Sequence, residues 1–340
     1  MASNRPGSSR LTDPELCYPP GCSPGEGPWG GRRPGLPIFG KIPVVVALGG
    51  GGARGLAHLG VLEVLEEAKV PIDAVVGISA GALVGAIYSL EPDARALTRR
   101  TLAFMNSEEF RNDVFMRVMF GGGGESEQNA FQSIISGLRR GIRFTSLIRK
   151  ASILDASRLR EVIREFVGEH TFDDLKIPFA VPTLDLGPPR EVVLSEGSLL
   201  EAVTASCSIP GFFPPVERDG MLLADCGVIG SVPVVQARAM IKGALVIAVD
   251  LSRELEVIDS VERGWDSILR CQAIAGRKLN ELALTKADVV INPAVGERRW
   301  GDFSDLETIV ECGREGARQS VEGIHKRLSG VLARLRRRNL

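Results

Sequence analysis

Pro43-Val44-Val45-Val46-Ala47-Leu48-Gly49-Gly50-Gly51-Gly52-Ala53-Arg54-Gly55 is an apolar run that stops on glycines. A short apolar run bounded by turn residues reads as a buried strand. Glycines at its end let the chain turn sharply into the next segment. That segment, Leu56 to Lys69, has helical periodicity, with Leu59, Leu62, Val64 and Leu65 apolar and Glu63, Glu66 and Glu67 polar. Asp73-Ala74-Val75-Val76 reads as a second strand and Gly77-Ile78-Ser79-Ala80-Gly81 as a second turn. Ala80 to Leu90 is then an apolar helix rich in small residues, predicted to be buried. The order strand, turn, helix, strand, turn, helix predicts an α/β fold with a mainly parallel sheet and helices on its faces.

Outward from this core, strands are predicted at Phe179–Leu184, Glu191–Leu194, Met221–Ala224, Leu245–Asp250 and Val289–Asn292. Helices are predicted at Ser198–Ser208 and over most of Asp305–Arg337. Residues 1–40 hold eight Pro and eight Gly, so they read as a disordered leader that cannot build a core. Residues 104–150 interleave Met, Phe and Arg around Gly121-Gly122-Gly123-Gly124, which predicts a helical insertion with a glycine hinge. Within it, Phe104, Met105, Phe110, Phe115, Met116, Met119 and Phe120 suit either a lid or membrane-touching surface, or a helix packed on the core. The expected layout is the leader at 1–40, one domain at 41–328 carrying the insertion, and a basic tail at 329–340.

A net charge of −1 gives no basic field for nucleic acid, and no nucleic-acid-binding signature occurs. The six cysteines are scattered, which is no disulfide framework and fits a reducing compartment. Cys17 and Cys22 lack a neighbouring Cys/His pair to complete a zinc set. No signal-peptide pattern is seen, and no run reaches the roughly 18 apolar residues of a membrane span. A cytoplasmic protein is expected, with any membrane contact peripheral, at the inner face. The long helical C-terminus offers a surface for a homodimer.

The glycine turn cradles negative charge, because its N–H groups and the following helix N-terminus point one way. The spacing Gly50-x-Gly52-x-x-Gly55 also occurs in dinucleotide-binding turns. Such a site wants an acid at the end of the second strand, and Asp73 precedes that strand. No Gly-Lys-Ser/Thr follows, so a P-loop is excluded. A tight turn without a ligand remains open at this point.

Gly77-Ile78-Ser79-Ala80-Gly81 has the context of a nucleophile elbow. Gly77 and Gly81 remove side chains where strand and helix nearly touch, and Ser79 stands at the helix N-terminus, which favours developing negative charge. Ala224-Asp225-Cys226-Gly227 ends a predicted strand and is well placed to reach a site at the sheet's carboxyl edge. Alone it reads as an ordinary turn. A conventional triad places its His last, which leaves His325, in a helix beside Lys326 and Arg327 and reading as solvent-facing. His58 reads as a packing or hydrogen-bonding residue, and His170 falls in a polar turn. A Ser–Asp dyad needs none of the three.

Together these motifs resemble the patatin-like phospholipases. The resemblance runs through Gly50–Gly55, Gly77–Gly81, the tract Ala205–Val216 and Asp225-Cys226-Gly227, and covers about residues 42–325. Val44 to Leu90 looks like bacterial members related to the neuropathy-target-esterase catalytic domain. The resemblance implies a three-layer α/β/α fold and a serine lipid acyl hydrolase of the phospholipase A or lysophospholipase type. Ser79 is then the nucleophile, Asp225 its base, and Gly50, Gly51 and Gly52 the oxyanion loop, with Arg54, Gly55, Gly77, Gly81 and Gly227 supporting the motifs. No cofactor or metal is implied, and the partner is a phospholipid or other acyl ester. An esterase or acyltransferase on other esters, or an impaired lipid-binding regulator, are the alternatives. Cys226 departs from the family's Asp-Gly-Gly/Ala pattern. Arg54 suits either a substrate phosphate or a structural salt bridge. A base of reference pKa about 3.9 is too weak for serine at neutral pH, so the dyad predicts a desolvated Asp225 with a raised pKa.

Overall fold

A computed structural model describes residues 42–108, 110, 156–261, 264–296, 303 and 305–338. Its first strand, β1 (Val44–Leu48), is buried at every residue. A 3-10 turn over Gly52–Leu56 leads into α1 (Ala57–Glu67). Then come β2 (Ala74–Gly77) and α2 (Ala80–Leu90). The strand–turn–helix repeat read from the sequence is thus present, with the first helix opening as a tighter turn.

The later elements are α3 (Ala94–Met105), α4 (Ala156–Val167), β3 (Phe179–Asp185), β4 (Arg190–Leu194) and α5 (Leu199–Cys207). They are followed by β5 (Val216–Arg218), β6 (Met221–Asp225), α6 (Val234–Met240) and β7 (Leu245–Val249). The last three are α7 (Gly264–Leu284), β8 (Val289–Ile291) and α8 (Leu306–Arg338). Helices α3, α4, α6 and α7 and strand β5 go beyond the elements predicted from periodicity. The basic run at the C-terminus continues α8 as helix to Arg338. The leader, and all of the insertion past Phe110, lie outside the described residues.

The strands form one eight-stranded sheet in the order β5-β6-β3-β2-β1-β7-β8, with β4 also paired to β3. Strands β3, β2, β1, β7 and β8 run parallel, and β4 and β6 run antiparallel to β3. Alternation along β1 divides the interior. Val44, Val46 and Leu48 join a core with α1, α2, α3, α4, α5 and α8. Val45 and Ala47 face the other way, toward α6 and the end of α7. The result is the three-layer α/β/α arrangement expected from the sequence.

One register positions the chemistry. β2 pairs with the start of β3, through Val76 and Ala180. β6 pairs with its far half in the opposite sense and ends where Asp225 meets Thr183. An antiparallel strand therefore returns its C-terminus to the level at which β2 stops, where Ser79 stands. Asp225 was expected at the end of a strand. The strand's reversed direction brings that end to the elbow.

Candidate active site

Ser79 joins β2 to α2 with φ 55° and ψ −120°. A residue with a side chain adopts this conformation only when its surroundings impose it. Backbone contact imposes it here. A Cβ on Gly81 would lie 2.2 Å from the Leu48 carbonyl oxygen, and one on Gly77 would lie 2.3 Å from the Gly81 oxygen. Only glycine lets β1, β2 and α2 meet this closely, and their meeting lifts the Ser79 side chain clear. The Ser79 N–H donates to Ser206 Oγ at 2.9 Å, and the buried Ser206 hydroxyl donates on to the Pro182 carbonyl at 3.4 Å.

Asp225 is held from three sides. Its N–H donates to the Ser208 carbonyl at 3.0 Å. Its Oδ1 accepts the Gly227 N–H at 2.7 Å. Its carboxyl also interacts with the Ser79 hydroxyl. Burial, at 4% exposure, pushes its pKa up from 3.8 to about 6, and the bonds from Gly227 and Ser79 draw it partly back. The raised pKa expected of a dyad base is present. Cys226 is buried, and its φ is not positive, so nothing in the backbone requires glycine there. At Gly227 a Cβ would come within 2.9 Å of Asp225 Oδ1, so glycine there leaves the carboxyl its place. Burial also raises the thiol pKa values of Cys226 and Cys207, so both stay protonated.

The glycine turn is tethered by its own set of bonds. The Gly49 N–H donates to the Val249 carbonyl at 3.1 Å and the Gly50 N–H to the Ser231 carbonyl at 2.8 Å. That second bond corrects the expectation that Gly50 donates to an oxyanion, because its proton already has an acceptor. The N–H groups of Gly51 and Gly52 are not engaged by any other backbone group among the described residues. The same holds for Ala80, first residue of α2. These are the amides able to bind an oxyanion. Gly55 packs directly on Ala80, joining turn to elbow.

His58 is fully buried and places Nε2 at 2.7 Å from the Gly49 carbonyl. Burial lowers its pKa to about 4, so it is neutral and Nε2–H is the donor. It is a tether of the turn. His170 and His325 are exposed, and neither lines the cavity around Ser79 and Asp225. Arg54 Nε donates to the Gly51 carbonyl at 3.2 Å. Among the described residues it makes no salt bridge, so its anchor is a backbone carbonyl.

Ser79, Asp225, Gly50, Gly51 and Gly52 all line one cavity of about 350 Å3. The rest of its wall is mostly apolar, with Leu83, Ile87, Met105, Phe110, Ile163 and Phe213 prominent. Phe110 is buried, and Phe104 packs edge-on against both Phe110 and Phe166. The described start of the insertion thus packs inward, while Phe115, Met116, Met119 and Phe120 lie outside the described residues.

The glycine turn, the elbow and Asp225 occur in that order within residues 46–238, and this span matches the sequence model of a family described as patatin-like phospholipase. The chain belongs to that family. It is 32% identical over 216 residues to patatin-like phospholipase domain-containing protein 6 of Mus musculus, covering 63% of this chain and 14% of the mouse protein. It is 31% identical over 215 residues to an uncharacterised NTE family protein of Mycobacterium bovis, covering 62% of this chain and 49% of that one. The chain thus spans about half or less of these relatives. Among solved structures, VipD from Legionella pneumophila aligns over 83% of this chain and 67% of its own, at 17% identity and a TM-score of 0.43.

The sequence motifs point to Ser79, Asp225 and the glycines, and the structure brings them to one cavity. His58, read from the sequence as a packing or hydrogen-bonding residue, is the tether of the glycine turn, whereas the motifs do not point to Ser206 beneath the elbow or to the Ala80 amide. No short-range signal marks Ser206, because it acts on a residue brought near by the fold.

Proposed function

We propose that this chain is a lipid acyl hydrolase of the phospholipase A or lysophospholipase type, with Ser79 as nucleophile and Asp225 as general base. The observation that carries this reading is a serine in an imposed left-handed turn beside a buried, high-pKa carboxyl, both opening on a mostly apolar cavity. Apolar walls suit an acyl chain, whose burial contributes about 0.8 kcal/mol per methylene. Family membership supports the same reaction.

The chemistry proceeds in two halves. Ser79 Oγ attacks the ester carbonyl carbon as its proton passes to the Asp225 carboxylate. The carbonyl oxygen becomes an oxyanion that accepts hydrogen bonds from the Gly51, Gly52 and Ala80 amides. Collapse breaks the ester C–O bond, and the departing alcohol takes the proton from Asp225. Water then attacks the acyl-enzyme, giving its proton to Asp225. The second collapse returns that proton to Ser79 and releases the fatty acid.

The test is fatty-acid release from lysophospholipid micelles by wild type, Ser79→Ala and Asp225→Asn. Loss of about 10³-fold or more in both variants is expected. Wild-type turnover in Ser79→Ala contradicts the proposal.

A further inference from the structure

A second cavity of about 300 Å3 adjoins the first and shares Gly50, Arg54, Gly227, Val228 and Ser231 with it. Its character is different. Arg54, Arg253 and Arg277 line it, and no carboxylate does. Ser231, Ser252, Gln272 and Asn280 add further polar groups, and the side chains of Ser231, Ser252 and Asn280 are linked. Ser231 Oγ lies 3.0 Å from Ser252 Oγ, and Asn280 Nδ2 donates to Ser252 Oγ at 3.1 Å.

Three guanidinium groups around one hollow repel each other unless an anion compensates them. The nearby acids are largely committed elsewhere. Asp250 accepts the Ser252 N–H at 2.9 Å and the Asn280 amide at 3.4 Å. Glu256 and Glu281 pair with Arg253 and Arg277, but neither lines the cavity. Arg54 Nη1 is buried with no hydrogen-bond partner, which is costly for a cationic donor. Burial and then the charge of Arg253 both disfavour its protonated state, opposed by Asp250. Arg253 and Arg277 are themselves about 70% buried, with side-chain exposures of 27% and 30%. A phosphate resolves these costs together, since guanidinium groups match its oxygens in planar, charge-assisted pairs.

We propose that this cavity is the head-group subsite, where Arg253 and Arg277, with Arg54 at the seam, hold the phosphate of the ester substrate while its acyl chain lies in the apolar cavity. The assignment rests on the hydrolase reading above and adds what selects the substrate: a phosphate-bearing lipid ester is preferred to a neutral one. Arg54 joins the two halves, because its Nε braces the Gly51 carbonyl and the residue lines both cavities.

The test compares lysophosphatidic acid with the monoacylglycerol of the same chain, each in non-ionic detergent micelles, using the full chain. Wild type is expected to show kcat/KM about tenfold or more higher for the phosphate-bearing lipid, the size of one charge-assisted hydrogen bond. Arg253→Gln and Arg277→Gln are each expected to lower that ratio by about the same factor. Should the variants fail to fold, wild type decides: glycerol 3-phosphate is expected to inhibit monoacylglycerol hydrolysis competitively, and no inhibition overturns the proposal. A wild-type ratio near one, or an unaltered ratio in both folded variants, overturns it while Ser79-dependent turnover keeps the hydrolase reading intact. Inhibition by inorganic phosphate without lipid preference also overturns it, as the hollow then takes free phosphate. Hydrolysis that survives Ser79→Ala defeats the hydrolase reading instead.

Discussion

Two glycine turns follow two neighbouring parallel strands, and each opens a helix, yet they present opposite things. The turn after β2 presents a side chain, because backbone crowding at Gly77 and Gly81 holds Ser79 at a positive φ. The turn after β1 presents backbone, because the Gly51 and Gly52 N–H groups meet no backbone acceptor among the described residues. Their tethers differ too. The side chain that pins the elbow, Ser206, takes an N–H, whereas the side chains that pin the glycine turn, His58 and Arg54, take carbonyls, beside the backbone bonds from the Gly49 and Gly50 N–H groups. The same local grammar of strand, glycine and helix therefore builds both halves of the proposed catalytic centre, one offering a side chain and one offering backbone.

The sharpest way to break this comparison is to add a methyl group to each turn. Gly81→Ala drives a Cβ into the Leu48 carbonyl, and a stability loss of about 3 kcal/mol or more is expected by chemical denaturation. Gly50→Ala meets nothing closer than Ser79 Cβ at 3.4 Å, so a change under about 1 kcal/mol is expected. Equal losses at the two positions contradict the contrast.

The next effect is on pH. Burial raises the Asp225 pKa from 3.8 to about 6, so the folded state holds that proton more tightly than the unfolded chain does. As a base it works only when ionised, so kcat/KM is expected to rise with pH through an inflection near 6. Ionisation also weakens the fold above that pH, by on the order of 2–3 kcal/mol. Asp225→Asn is therefore expected to be more stable than wild type at pH 8, with the gain fading as pH falls toward 4. A gain that grows in acid contradicts the burial account.

The smallest effects test the tethers. Ser206→Ala leaves the Ser79 N–H without its acceptor, and His58→Ala leaves the Gly49 carbonyl without its donor. Each is expected to cost about 1–3 kcal/mol of stability and roughly tenfold in kcat. In a detergent-solubilised ester assay, a loss in KM alone, with kcat intact, assigns these residues to binding.

Much of the fold was legible because β1, β2 and α2 are nearly uniform apolar segments punctuated by glycine. Helix α3 was harder to read, since Thr98 and Thr101 occupy buried positions that an apolar pattern does not mark. Helix α7 shows Ile268, Leu269, Ile274, Leu279 and Leu282 on exposed positions, which blurs its periodicity. Strand β5 has three residues, too few for alternation. In the site, Ser79 and the glycines are local motifs and could be read directly. Asp225 depends on an antiparallel return through β6, and Ser206 lies 127 positions from the N–H it accepts. Such pairs exist only in three dimensions. The engagement of the Gly50 N–H by Ser231 is of the same kind.

The account's central claim, that Ser79 is the activated nucleophile, is tested most directly by fluorophosphonate labelling with the modified residue mapped by mass spectrometry. The account predicts a single adduct on Ser79, absent from Ser79→Ala and slowed by about 10³-fold in Asp225→Asn. An adduct on another residue, or equal labelling of Ser79→Ala, contradicts it.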